Sequence, residues 1–169
     1  MTARLWLVRH GETEWSVAGR LNGWRDVPLN ERGRAQARGL SDRLRGHAFV
    51  GTWSSDLRRA SETARLAFGE PTVDRRLREL DFGALEGLTW DELDEPTQDA
   101  LISFDDFAAP GVESVPAFRA RVTEFVGGLE AGDHLVVTHG GVIRLLLRDA
   151  GLLDHGVGPG EVTLLPPSG

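Results

Sequence analysis

Two histidines stand at the ends of apolar runs near opposite ends of the chain, in Leu7-Val8-Arg9-His10-Gly11-Glu12-Thr13 and in Thr138-His139-Gly140-Gly141. Imidazole can act near neutral pH as a nucleophile, a proton carrier or a metal ligand. Each histidine ends a strand-like segment and is followed at once by glycine, which lets backbone approach a ligand closely. In open α/β sheets, ligands sit in the crevice outside the carboxyl ends of the strands. The two histidines therefore read as one site. Arg9 adds a planar donor fork matched to phosphate oxygens. Gly140-Gly141 open a helix whose free amides and positive dipole end favour an anion. Taken singly, either histidine is more often structural. Metal ligation competes as a reading, but neither an H-x-x-x-H spacing nor a nearby carboxylate pair accompanies them.

Two further groups depend more on context. Ser55 is expected to cap a helix with Arg58-Arg59 in its first turn, where cations oppose the helix dipole at about 0.3–1 kcal/mol each. Either both arginines lie in solvent or one points into an anion pocket, and spacing alone does not choose. Glu79 lies at the head of an acidic stretch, and its surroundings alone read as those of an exposed carboxylate.

The elements that must position these groups alternate between strand and helix. Arg4–Val8 reads as a buried strand and Phe49–Trp53 as a second. Leu135–Thr138 follows late in the chain, and Glu161–Leu165 is the last. Residues 72–79 read as extended. Asn30 can cap a helix whose Gly33, Ala37, Leu40 and Leu44 share a face, and the Ser55 helix runs to about Phe68. Ser114 and Pro116 open a helix carrying Phe118, Val122, Phe125, Val126 and Leu129, and Val142–Asp149 forms the last helix. This pattern predicts an α/β three-layer sandwich with a mainly parallel central sheet and helices on both faces. The stretch from Asp81 to about residue 113 is short, acidic and broken, with one helical piece near Pro96–Phe104. It reads as a lid excursion. Strand order is not derivable from the pattern.

Composition bounds the chemistry. The 169 residues suit a single domain, 1–169. The apolar runs are too short to span a membrane, and the chain enters its first strand without a leader, so a cytoplasmic protein is expected. Cysteine, lysine and tyrosine are absent, which removes disulfides, thiolate and tyrosine nucleophiles, Walker lysines and Schiff bases. Charge is segregated: residues 1–78 carry a balance of +6 and residues 79–169 one of −13, giving the net −7. An acidic chain is a poor nucleic-acid binder, while its basic first half can hold a small anion.

These strings, together with Gly19-Arg20-Leu21-Asn22-Gly23-Trp24, Asp26-Val27-Pro28-Leu29, Ser54-Ser55-Asp56-Leu57-Arg58-Arg59-Ala60, Arg78-Glu79-Leu80-Asp81-Phe82-Gly83 and Gly111-Val112-Glu113-Ser114, resemble the histidine phosphatase (phosphoglycerate mutase-like) family along almost the whole chain. At subgroup level they look most like α-ribazole phosphatase-type enzymes. The resemblance implies a phosphomonoesterase working through phosphohistidine on a small-molecule phosphate ester, without metal or cofactor. It implies His10 as nucleophile, Glu79 as general acid and base, and His139 with Arg9 and Arg59 around the phosphate; Ser16, Asn22, Gly23 and Gly140 are further candidate phosphate contacts. Two departures stand out. Ser16 replaces the family's usual asparagine, leaving a shorter hydroxyl to act through water or Asn22 to compensate. Val112 stands where a related glycine is usual. Phe82, Trp90, Phe104 and Phe107 either pack the lid or stack on an aromatic leaving group, and Trp15 and Trp24 have the same two readings. A phosphoglycerate mutase, a protein phosphohistidine phosphatase and a non-catalytic phospho-ligand module are the alternatives. No nucleic-acid or membrane partner is expected, and a homodimer is left open.

Overall fold

Alternating apolar side chains make β1 (Ala3–Arg9) a central strand. Leu5 and Leu7 point to one side, Trp6 and Val8 to the other. The computed structural model describes residues 2–104, 110–152 and 156–167. Within them β2 (Gly51–Ser54), β3 (Thr72–Val73), β4 (Gly132–Thr138) and β5 (Val162–Leu165) complete a sheet of order β3-β2-β4-β1-β5. β3, β2, β4 and β1 run parallel, and β5 closes the edge antiparallel to β1. No helix among the described residues is long and apolar enough to cross a membrane.

Helices cover both faces. On one, α5 (Val115–Gly127) and α6 (Gly140–Asp149) bury Phe118, Val122, Phe125, Val142 and Ile143 against Leu5, Leu7 and Val136. On the other, α2 (Glu31–Leu44) and α3 (Arg58–Ala67) bury Leu40, Leu44, Ala60 and Ala64 against Val8, Leu135 and Val137. Asn30 caps α2 by accepting from Gly33 N at 2.8 Å, and Ser114 caps α5 through Ala117 N. A four-residue helix, α1 (Glu14–Val17), sits directly after the His10 loop, inside a capping box between Thr13 and Ser16.

Two sequence expectations are corrected. Ser55 does not cap α3. The chain bends at Asp56 and Leu57, Leu57 is the residue that precedes the helix, and the Arg58 amide donates 2.8 Å to the carboxylate of Asp26, from a loop far away in sequence. Local reading cannot see such a cap. Residues 72–79 are also not extended throughout. After β3, Asp74 accepts from its second neighbour Arg76 N and turns the chain into a 3-10 turn at Arg75–Leu77.

In the excursion, 3-10 turns at Gly83–Leu85 and Trp90–Glu92 lead to α4 (Glu95–Ser103). Its carboxyl end is held by Arg144 and Arg148 of α6, which donate to the carbonyls of Leu101, Ile102 and Ser103. Cations at a helix carboxyl end complement its dipole. Leu101 and Phe104 are buried in the core and pack the segment onto the body. Phe107 lies outside the described residues.

The His10 loop crosses α2 backbone to backbone. A Cβ added at Gly33 would lie 2.7 Å from Glu12 N and closer still to its carbonyl, and one at Gly11 would run into Gly33. Gly39, on the exposed face of the same helix, has open space around it. Mid-helix alanine normally stabilises over glycine by about 1 kcal/mol. We therefore expect Gly39→Ala to raise the urea midpoint and Gly33→Ala to lower it, the latter costing about 1–3 kcal/mol from overpacking. Equal gains at both positions would refute the close crossing.

Candidate active site

β1 and β4 pair in a parallel register that sets Arg9 opposite Thr138. The next residue of each strand, His10 and His139, therefore leaves the sheet beside the other. Their ring centroids are 5.2 Å apart at an interplanar angle of 62°, and His10 N donates to Thr138 O at 3.0 Å. Two residues far apart in the chain thus stand side by side because of a strand register.

His10 Nδ1 lies 2.7 Å from the Gly11 carbonyl. A carbonyl only accepts, so Nδ1 carries the proton and Nε2 the lone pair. That lone pair accepts from Arg59 Nε at 3.3 Å. Burial, then the charge of Arg59, holds His10 well below the usual histidine range, so the ring is neutral at neutral pH. His139 is held low in the same direction by burial, Arg59 and His10. It is fully buried, and neither of its ring nitrogens has a hydrogen-bond partner. Such a group costs about 1–3 kcal/mol unless something pairs with it.

Arg59 is also fully buried. Its Nη1 donates to Arg25 O at 3.0 Å, and its Nη2 to Asn22 O and Gly23 O at 3.2 and 2.7 Å. Burial draws it down to about 10, with Glu79 and Asp26 opposing, which leaves it charged at neutral pH. Arg9 donates through Nη1 to Val157 O at 2.8 Å, while its Nε is buried without a partner.

Glu79 arrives from the end of the segment after β3 and is buried. Its Oε1 accepts from Leu80 N at 2.9 Å and its Oε2 from Gly141 N at 3.0 Å. A Cβ at position 141 would collide with this carboxylate, so the bare backbone lets Glu79 reach the amide end of α6. The amide end of α6, where an anion was expected, is thus met in part by the protein's own carboxyl group.

A cavity of about 330 Å³ is lined by Arg9, His10, Thr13, Ser16, Gly19, Arg20, Leu21, Asn22, Glu79, Phe82, Gly140 and Gly141. Larger grooves of about 640 and 470 Å³ lie elsewhere, by β5 and by the carboxyl-terminal prolines, and gather none of these groups. Convergent chemistry selects the smaller one.

Most of the candidates chosen from sequence meet here. Arg9, His10, Ser16, Asn22, Glu79 and Gly140 line the cavity; His139 and Arg59 back it. Gly23 stands behind the wall, packed against Leu80 and Phe82, with its carbonyl given to Arg59. The Ser16 hydroxyl donates to Thr13 O at 2.8 Å and accepts from Thr13 N at 2.9 Å, so its one proton is spent inside the capping box. Asn22 has both side-chain amide atoms buried without a partner, so it, rather than Ser16, has free hydrogen-bonding groups. Trp24 does not line the cavity but donates from Nε1 to Glu79 O at 2.9 Å, with Arg78 over its ring at 4.9 Å. Of the lid aromatics, Phe82 reaches the wall. Sequence reasoning missed Arg20 and Thr63. Arg20 reaches the mouth with Nη1 tied to Gly87 O, and its signal was the string it shares with Asn22. Thr63 accepts from Gly11 N at 3.0 Å and donates to Arg59 O at 2.6 Å, and it had no local signal.

The profile of the histidine phosphatase superfamily (branch 1) matches residues 5–157. The chain is 37% identical to phosphoglycerate mutase-like protein 4 of Arabidopsis thaliana, over 88% of this chain and 71% of that one. It is 36% identical to the adenosylcobalamin/alpha-ribazole phosphatase of Salmonella typhimurium, over 85% and 77%. The crystal structure of TTHB049 from Thermus thermophilus superposes with a TM-score of 0.89 at 46% identity, covering 96% of this chain and 92% of that one. A parallel sheet that seats two buried histidines side by side, matched over most of its length by that profile and these relatives, makes this chain a member of the histidine phosphatase superfamily, branch 1.

Proposed function

We propose that this protein is a phosphomonoesterase that works through a phosphohistidine at His10 on a small-molecule phosphate ester. One observation carries the reading. A neutral imidazole presents its Nε2 lone pair beside buried groups that lack partners, namely His139, Arg9 Nε and Asn22. Phosphate oxygens would accept from Arg9 Nε, Asn22 Nδ2 and a ring N–H of His139, offsetting part of the cost of leaving these groups bare.

In the first step the Nε2 lone pair attacks phosphorus. Arg59 Nε turns from Nε2 to a phosphoryl oxygen, and the N–P bond forms as the bond to the ester oxygen breaks. Arg9, Arg59 and His139 face the charge spread over the non-bridging oxygens. Glu79, carrying a proton beside the anionic phosphate, gives it to the departing alkoxide. In the second step Glu79 takes a proton from water, whose oxygen attacks phosphorus. The N–P bond breaks, and phosphate and neutral His10 result. The arginines supply the positive charge, so no metal is required.

The leaving group is read from the outer wall. Phe82 adds an aromatic side chain to the lining, and the cavity volume suits a small ester. Together with the likeness to an alpha-ribazole phosphatase, this favours a neutral, aromatic alcohol such as a ribazole-type nucleoside. A phosphoglycerate would bring a carboxylate as well. After Glu79, positions 80–118 hold ten acidic residues and no arginine or lysine, so a second anion meets repulsion from the lid. Arg20 at the mouth is the observation favouring the mutase reading, but it is a single cation whose Nη1 is already tied to Gly87 O. The short excursion would also hold a released alcohol poorly, leaving the phosphohistidine to water. We place the protein in the cytoplasm. We read it as a single domain, which one profile running over residues 5–157 supports.

The test offers 3-phosphoglycerate with catalytic 2,3-bisphosphoglycerate beside a panel of neutral-alcohol phosphomonoesters. We expect phosphate release from the panel to exceed mutase turnover in kcat/KM. Formation of 2-phosphoglycerate outrunning phosphate release would overturn the phosphatase reading.

A further inference from the structure

The loop that carries Glu79 is held in place by side chains from separate parts of the chain. Four successive carbonyls accept from them. Arg76 O and Arg78 O each take Arg121 Nη1 at 2.7 Å, Leu77 O takes Thr138 Oγ1 at 2.8 Å, and Glu79 O takes Arg121 Nη2 at 2.8 Å and Trp24 Nε1 at 2.9 Å. Arg121, on α5, thus grips three of the four. Its Nε at 2.7 Å and Nη2 at 2.8 Å also form a bidentate pair with Glu113, so the whole fork is engaged. Glu113 grips the other side of Glu79, where Asp81 N donates to its Oε2 at 3.2 Å and its own amide donates to Asp81 O at 2.9 Å. Both side chains of the pair are mostly buried, at 16% and 14% exposure. The proton donor is thereby fixed from behind and in front by one ion pair that touches neither the cavity nor His10.

We propose that Arg121, locked by Glu113, is a positioning residue for proton transfer by Glu79. The proposal rests on the general-acid reading of Glu79. Only a planar fork can span three carbonyls and a carboxylate at once, so the demand is for guanidinium geometry and not for charge alone. A carboxyl that drifts by about 1 Å loses roughly 100-fold in a transfer that depends on its placement. The attack by His10 does not depend on it.

The experiment measures the burst rate of enzyme phosphorylation by an alkyl phosphate and by nitrophenyl phosphate. The variants are Arg121→Lys, Arg121→Met and Glu113→Gln, and each is also made in a Glu79→Gln background, with folding checked by thermal melts. Arg121→Lys keeps the charge, and it serves should the methionine variant fail to fold. We expect Arg121→Lys to slow the alkyl ester roughly 10- to 100-fold and to leave nitrophenyl phosphate within about threefold. It should add almost nothing once Glu79 is glutamine, because the two act on one event. Equal losses for both esters, or losses that add to those of Glu79→Gln, would show a merely structural role and overturn the proposal while the Glu79 reading stands. Were Glu79→Gln itself to slow both esters equally, the general-acid reading and this proposal would both fall.

Discussion

His10→Ala will fold and lose turnover by at least about 10⁴-fold, because it removes the atom that bonds phosphorus. The variant should fold because the ring's hydrogen bonds do not tie distant elements of the sheet together. Nδ1 bonds its own neighbour Gly11, and among the described residues Nε2 bonds Arg59. Deleting it frees the Arg59 Nε–H and leaves the fork on Arg25, Asn22 and Gly23 in place. Non-hydrolysable analogues of phosphate should still bind, since Arg9, Asn22 and His139 remain. Rapid quench of the parent enzyme with a labelled ester, worked up in base to spare the N–P bond, should trap one phosphohistidine per chain, absent in the variant. Recovery of the label at His139, or appreciable turnover by His10→Ala, would move the nucleophile elsewhere.

The second large effect belongs to Glu79. An alkoxide is a strong base and leaves slowly without a proton; nitrophenolate leaves readily without one. Glu79→Gln is therefore expected to slow burst phosphorylation by an alkyl phosphate by about 10²–10⁴-fold and by nitrophenyl phosphate by less than about tenfold. Steady-state turnover should fall for both, because the release step needs the carboxylate as base. The amide also turns a donor toward Leu80 N–H or Gly141 N–H, both of which now face carboxylate oxygens. Glu79→Ala, which lacks that donor clash, should show the same selectivity. A burst that slows equally for both esters would assign Glu79 a role in shape alone.

Much of this site was legible because its residues signal locally. His10 and His139 each end an apolar strand before a glycine, and Asn30 caps its own helix three residues on. What was illegible depends on distant partners. Asp26 caps α3 across 32 positions, and Arg121 reaches the Glu79 loop across 42. The order β3-β2-β4-β1-β5 follows from how crossovers pack, which no single segment states. Ser16 lines the cavity with its proton given to Thr13 O, a bond the family likeness did not indicate, and Asn22 beside it keeps its side-chain amide atoms unpaired among the described residues. Arg59 was chosen over Arg58 by resemblance. The geometry shows why the two differ: Arg58 starts the helix at the surface, and Arg59, one position on, is turned into the protein beneath His10.

The pairing of β1 with β4 also dictates when the proposed active site is completed. The first strand of the sheet must wait for a partner more than a hundred residues downstream, and closing so long a loop is slow because its entropy is lost before its contacts form. During synthesis His10 emerges well before residue 139, so its ring lacks the neighbouring histidine until β4 has been made and set between β1 and β2. A nascent or half-folded chain therefore holds every basic group of its first half without the completed pair of histidines. Regain of activity on refolding should coincide with formation of this single ladder and should lag the appearance of helix.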